Sequence, residues 1–302
     1  MITVLGSANI DFVFRIKRFP QLGETLPAED HARVLGGKGA NQAVACARLG
    51  AETIFMGNLG DDPFGDDLLN SLKQNGVQIQ HVRRLKNVYT GTTVIFVDSE
   101  GNNSILYYPG ANGYIDKTYI DDILPQVISS SVLLLQFETP LNALAYLLKK
   151  LPPEHPLVIV DPSPVQDLSV LPVERIDILT PNQIELRLLT GCADIVAGGK
   201  KLLEFGVKQV ICKVGENGAW VIGRGEIRHF PAFRINVVDT TAAGDAFNAG
   251  LAVALEKGLT LDQVLIWANA AGALACTKFG AQPSLPYRHE LESFLRHYGI
   301  PV

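Results

Sequence analysis

Short apolar runs rich in β-branched residues recur along this chain, at residues 2–5, 53–56, 132–137, 157–160, 177–179 and 209–213. Between them, residues 40–49, 66–75, 141–150, 183–190 and 200–205 place apolar positions near helical spacing. Strands that are apolar along their whole length belong to a parallel sheet covered on both faces. Their alternation with helices gives βαβ units and predicts an α/β fold with a doubly wound, mostly parallel sheet. Residues 244–279 read as two helices broken at Gly258-Leu259-Thr260.

Two segments depart from that rhythm. Residues 12–35 hold strand-like pieces and the turn residues Pro20, Gly23 and Pro27 without a helical pattern. Residues 90–108 read as a hairpin around Ser99-Glu100-Gly101-Asn102-Asn103. These inserted strands either fold over one edge of the main sheet as a small β lid or extend that sheet; the local pattern favours neither. No repeat or interdomain linker divides the chain, so residues 1–302 are expected to form one domain.

Composition supports a folded enzyme: 47% of residues are hydrophobic and 19% charged. The net charge of -5 and the lack of a Lys/Arg block argue against nucleic acid or an anionic membrane as partner. Cys46, Cys192, Cys212 and Cys276 are scattered without C-x-x-C spacing, as expected of buried thiols in a reducing compartment rather than a zinc site. The first residues enter a strand pattern at once and no apolar run reaches the roughly 18 residues of a membrane span, so a cytoplasmic location is expected.

The chemistry concentrates in a few motifs. Val237-Val238-Asp239-Thr240-Thr241-Ala242-Ala243-Gly244-Asp245 leads from a β-branched run through small residues into a helix. Small residues at a helix start let backbone amides close on an anion, and the helix dipole favours negative charge there. Asp245 sits beside those amides, within reach of a hydroxyl and a phosphate together. Gly36-Gly37-Lys38-Gly39-Ala40-Asn41 lacks the third glycine of a dinucleotide fingerprint and the Ser/Thr of a Walker A loop. It is either a plain glycine-rich helix start or a backbone able to approach a polar ligand, with Asn41 as donor and acceptor. Asn9 and Asp11 follow the first strand and form either a turn or a pair of hydroxyl acceptors. Asn182 and Glu185 have the spacing of a helix cap and, alternatively, could hold a magnesium hydration shell beside phosphates. Glu138, taken alone, reads as a helix N-terminal charge ahead of Pro140, and Gly215 and Gly218 as a hairpin turn.

Order and spacing together resemble the ribokinase-like family of carbohydrate kinases, nearly end to end, from Gly6-Ser7-Ala8-Asn9-Ile10-Asp11 to Gly280-Ala281-Gln282-Pro283-Ser284. Two segments, Gln136–Pro140 with the preceding Leu135 and the Gly-Ala-Gln-Pro-Ser run, are most similar to ribokinases within it. The resemblance implies a β lid, lid-to-lid homodimers and ATP-dependent phosphorylation of the ribose 5-hydroxyl. It implies a sugar site of Asn9, Asp11, Gly37, Lys38, Asn41, Glu138 and Asp245, with Asp245 as base and the amides around Ala242, Ala243 and Gly244 as anion hole. ATP would lie along Asn182, Lys213, Gly215, Gly218, Gly244 and Asn269, with Glu185 ordering Mg²⁺ through water. A K⁺ ion would lie beside Asp239, Thr241, Ala275, Lys278, Gly280 and Ser284.

The chain also departs from the family pattern. Ala242 stands where many members carry Gly, Lys213 where a ribokinase carries Thr, and Asp161 where Asn is usual; Asp161 is assigned no role. Kinases of a nucleoside, fructose or deoxyribose are rivals within the same class. From other classes, a sugar-binding regulator without catalysis is opposed by Asp245 and its loop, and a nicotinamide-dependent oxidoreductase by the missing fingerprint.

Overall fold

The computed structural model describes residues 1–301. In chain order the elements are β1 (Ile2–Leu5), β2 (Asn9–Arg15), β3 (Asp30–Gly36), α1 (Lys38–Arg48), β4 (Thr53–Gly60), α2 (Pro63–Gln74) and β5 (Val82–Leu85). Then come β6 (Gly91–Val97), β7 (Asn103–Tyr108), α3 (Lys117–Ile128), β8 (Val132–Gln136), α4 (Leu141–Lys150), β9 (Leu157–Asp161) and β10 (Ile178–Leu179). The remainder is α5 (Gln183–Thr190), α6 (Ile195–Phe205), β11 (Gln209–Lys213), β12 (Ala219–Gly223), β13 (Glu226–Phe230), α7 (Ala243–Glu256), α8 (Leu261–Ala275) and α9 (Arg288–His297).

Nine strands make one sheet in the order β13-β12-β11-β10-β9-β8-β1-β4-β5. Pairing is parallel from β5 to β11, and β12 and β13 close that edge antiparallel. The whole-length apolarity of the central strands follows from their two covered faces. Along β8, Val132 and Leu134 enter one core while Leu133 and Leu135 enter the other. The first core packs against α1, α2, α7, α8 and α9, and the second against α3 to α6. A fully buried Leu or Val contributes about 1.5–3 kcal/mol, so the two-faced sheet supplies a rigid floor.

The other four strands form a separate sheet, β3-β2-β6-β7. Of the two placements open from the sequence, the inserted segments thus take the separate sheet. Asn9 and Asp11 are neither a turn nor the end of a main-sheet strand. They open β2, where Asn9 lies opposite Gly36 on one side and Gly91 on the other. Two helices fall outside the sequence expectations. In α3 an internal Pro125 masks the helical pattern, and α9 buries only Leu291 and Leu295. Cys46 and Cys212 are buried as expected, whereas Cys192 and Cys276 are partly exposed. Among the described residues no helix is long and apolar enough to cross a membrane.

The chain passes from the small sheet to the large one at Gly37, between β3 and α1. Its φ of 87° is left-handed, and a Cβ there would lie 2.6 Å from Ala8 Cα and 2.7 Å from the Asn9 nitrogen. Backbone that close cannot shift cheaply, so only glycine fits. Gly37→Ala is expected to lose about 2 kcal/mol or more of stability, read as a lower thermal unfolding midpoint. An unchanged midpoint would contradict the packing described.

Candidate active site

The site lies where α1 and α7 begin, at the carboxyl ends of β1, β8, β9 and β11. The two helix starts differ. At α1, Ser7 carbonyl accepts from the Ala40 amide at 2.8 Å and Glu138 accepts from the Lys38 amide at 3.1 Å. At α7 no side chain caps the helix, and Ala242 holds a left-handed φ of 59°. The Ala243 amide donates to the Thr240 carbonyl at 3.2 Å. Of the expected anion hole, the Ala243 amide is thus engaged, while those of Ala242 and Gly244, and of Asp245 beside them, have no partner. An uncapped N-terminus with open amides is an anion site by construction.

Asp245 is 5% exposed and held from α1. Its Oδ2 accepts from Asn41 Nδ2 at 3.0 Å and its Oδ1 from Gln42 Nε2 at 3.1 Å. Burial pushes its carboxyl up to about 6; Asp161 adds to the rise, while Lys38 and the two amide bonds oppose it. Burial works against the Lys38 ammonium, but Asp245, Asp161, Glu138 and Glu185 outweigh it and hold Lys38 firmly protonated.

On the small-sheet side, Asn9 Oδ1 accepts from Asn112 Nδ2 at 2.7 Å, and Asn112 Oδ1 accepts from the Ala8 amide at 3.0 Å. Asn112 is the residue that aims Asn9, and its distance along the chain hid it from the sequence. Asp11 is pushed up to about 6 by burial and by Glu138 and Asp245, against a bond from Thr93 and the charge of Lys38. Glu138 is not the N-terminal charge of the helix that follows it: its carboxylate accepts from the Ser7 hydroxyl and from the Lys38 amide at the start of α1, while α4 starts after Pro140 without a side-chain cap. Tyr107 of β7 donates to the Glu138 carbonyl at 3.0 Å, fastening the small sheet to the floor. The Asn41 Oδ1 is buried with no partner, an acceptor left for a ligand hydroxyl.

The other side opens into a cavity of about 1040 Å³ that reaches from Lys38 and Asp245 to Phe233 and Cys276, at the upper limit of ordinary ligand and cofactor sites. Asn182, Glu185, Lys213, Gly215, Gly218, Gly244 and Asn269 all line it. Asn182 and Glu185 do form a reciprocal cap at 2.7 and 2.8 Å, which commits one Glu185 oxygen. Gly215 and Gly218 make the turn between antiparallel β11 and β12. A Cβ on Gly218 would meet the Phe230 carbonyl at 2.1 Å, and Asn269 ties that same end of β13 through the Pro231 carbonyl at 3.2 Å.

Asp161, given no role from the sequence, proves central. Its Oδ1 pairs with Lys213 Nζ at 3.1 Å and its Oδ2 accepts from Gln42 Nε2 at 3.2 Å. Each residue is ordinary where it stands in the chain, and only the fold brings β9 beside β11 and α1.

Among the described residues no three His, Cys, Asp or Glu gather as a metal site. A single carboxylate such as Glu185 suits Mg²⁺, which is held mainly by phosphates and water. Asp239 accepts from Thr241 and, at 2.9 Å, from the Gly280 amide, and so joins the 239–241 and 280–284 loops. Burial opposes ionisation of Asp239, but these bonds outweigh it and keep the carboxyl below its usual value. One fixed negative charge among loop carbonyls suits a large monovalent cation. The Ala275 carbonyl also accepts from the Lys278 amide at 3.4 Å, and Lys278 Nζ pairs with Glu290 at 2.6 Å. Ser284 Oγ donates to the Ala281 carbonyl, which leaves backbone oxygens as the natural donors there.

Comparisons with known proteins identify the family. The chain is 37% identical over 301 residues to a ribokinase of Haemophilus influenzae, covering 98% of each. The structure of an Arabidopsis thaliana ribokinase complexed with ribose and ATP superposes with a TM-score of 0.91, at 36% identity and 98% coverage of both chains. A Thermotoga maritima ribokinase structure superposes at 0.89, with 38% identity and coverage of 98% of this chain and 99% of that one. The model of the pfkB family of carbohydrate kinases matches residues 1–288, and the chain belongs to that family.

Proposed function

We propose that this protein transfers the γ-phosphoryl group of ATP to the primary 5-hydroxyl of ribose. One observation carries the reading: the Asp245 carboxylate is shared by the wall of the large cavity and the polar cluster of Asn41, Asp11 and Glu138, at an open helix N-terminus. A hydroxyl on one side and a phosphate on the other meet there. The likeness to ribokinases over nearly the whole chain supports ribose as the acceptor.

In this reading, residues 1–302 act as one catalytic domain, with segments 12–35 and 90–108 as its lid. Asn9, Asp11, Gly37, Lys38, Asn41 and Glu138 hold the sugar, and Asp245 accepts the proton of its attacking hydroxyl. As that oxygen bonds to the γ-phosphorus, the bond to the ADP oxygen breaks, and the open amides of Ala242, Gly244 and Asp245 stabilise the charge between them. Proton acceptance by a positioned base is worth roughly 10²–10⁴-fold in rate. Asn182, Lys213, Gly215, Gly218 and Asn269 hold the nucleotide. Glu185 would hold Mg²⁺ through water, which neutralises phosphate charge, and K⁺ among Asp239, Thr241, Ala275, Lys278, Gly280 and Ser284 would steady the α7 loop. In this reading the partners are the sugar and ATP, and the enzyme works in the cytoplasm.

The acceptor test is a panel of pentoses, hexoses and nucleosides with ATP, followed as ADP release. Ribose is expected to be the best substrate, and K⁺ to activate over Na⁺ at fixed ionic strength. Preference for a nucleoside or hexose would overturn the acceptor, and equal rates in both salts would overturn the cation.

Because Asp245 and Asp11 both work as carboxylates and both lie near 6, kcat/KM for ribose is expected to fall as pH drops below 6. With two groups the fall should exceed tenfold per pH unit. A flat profile from pH 8 to 5 would contradict this assignment.

The edge strand β7 exposes Ile105, Leu106 and Tyr108. An open apolar edge is a pairing surface, and a lid-to-lid homodimer covers it. Sedimentation should give twice the chain mass and Leu106→Asp a monomer; a monomeric parent protein would contradict the dimer.

A further inference from the structure

The Asp161–Lys213 pair is buried deep beside the base. The two side chains are 4% and 13% exposed, whereas every other ion pair among the described residues is at least 18% exposed on each side. Taking two charges out of water costs several kcal/mol per ion unless each finds full compensation. A pair kept at that cost, on the wall of a ligand cavity, calls for a use.

Its connections supply one. Asp161 spends one oxygen on Lys213 at 3.1 Å and the other on Gln42 Nε2 at 3.2 Å. Gln42 Nε2 spends its second proton on Asp245 at 3.1 Å. Its Oε1 already accepts from Gln136 Nε2 at 2.7 Å, so the amide cannot turn over and the NH₂ must face both carboxylates. At the far end, Lys213 Nζ lies 3.6 Å from where a Cβ on Gly244 would stand, beside the open amides of α7. One side chain thus touches both halves of the machinery.

We propose that Asp161 is a positioning residue of the transfer step, holding the Lys213 ammonium at the phosphate end of the cavity and, through Gln42, fixing the Asp245 carboxylate toward the acceptor hydroxyl. The inference rests on the kinase reading above. It makes Lys213 a fixed positive charge for the transferring phosphoryl group, and Gln42 the joint that keeps base and cation in register. Asp245 is faced by Lys38, Asn41 and Gln42 from α1, by Asp161 from β9 and by Asp11 from β2, with Lys213 of β11 on the same cavity wall. Of these, the Asp161 charge raises the Asp245 carboxyl and the Gln42 bond lowers it. The two links therefore have opposite signatures.

The test compares Asp161→Asn, Gln42→Met and Lys213→Met with the parent enzyme. It reads kcat/KM for ribose against pH at saturating ATP, and ATP binding by calorimetry. Asp161→Asn should move the acid limb down by about half a pH unit or more, through loss of a like charge. Gln42→Met should move it up, through loss of a donor. Lys213→Met should weaken ATP binding about tenfold, the scale of a charge-assisted bond. An acid limb that stays put in both Asp161→Asn and Gln42→Met overturns the proposal, as does ATP binding unchanged in Lys213→Met. If Asp161→Asn does not fold, the Gln42→Met limb decides alone. A parent enzyme with no ribose-dependent ADP release would instead overturn the kinase reading itself, and a parent with no acid limb would overturn Asp245 as the base and this proposal with it.

Discussion

The proposed reaction depends on keeping one aspartate ionised where burial opposes it. Asp245 lies under two amide donors of α1, at the first turn of α7, with Lys38 near enough to act on it. At about 1.4 kcal/mol for each tenfold change in proton affinity, lifting its carboxyl from 3.8 to about 6 corresponds to roughly 3 kcal/mol set against folding at neutral pH. The sign is definite. Between those two values the native state binds a proton that the unfolded chain does not, so this group's contribution to stability rises as pH falls through that window. On the proposed reading, a base near neutrality and a stability cost have one cause.

The remainder of the fold supports that charge. Two buried cores clamp β1, β8, β9 and β11, whose carboxyl ends deliver Ser7, Glu138, Asp161 and Lys213 to one rim. Gly37, forced by contact with the Ala8 backbone, lets β3 turn straight into α1, and that turn sets Asn41 and Gln42 over Asp245. The small sheet is tied down at Asn9–Asn112 and Tyr107–Glu138. Closing it over a bound sugar would exclude water from the reacting atoms, where preorganised donors act most strongly.

Much of this is legible in the residues alone. The two-faced strands follow from wholly apolar runs, and α4 and α5 match their expected limits because Pro140 precedes the one and Asn182 and Gly191 cap the other. Asp245 and the anion loop stand out because a run of small residues at a helix start leaves the backbone amides uncovered beside a carboxylate. What stays hidden is tertiary. Glu138 reads locally as a cap but bonds to Ser7 and Lys38, 131 and 100 residues away in sequence. Asp161 and Asn112 carry no local signal at all, since their partners come from β11, α1 and β2. A helix with an internal proline, such as α3, also escapes periodicity when tertiary packing overrides propensity.

The most direct test of the central claim is to remove the charge and keep the shape. Asp245→Asn should abolish ribose-dependent ADP release while calorimetry still detects ribose binding, and its thermal unfolding midpoint at pH 8 should rise because the buried charge is gone. Near-normal turnover in Asp245→Asn would contradict the account.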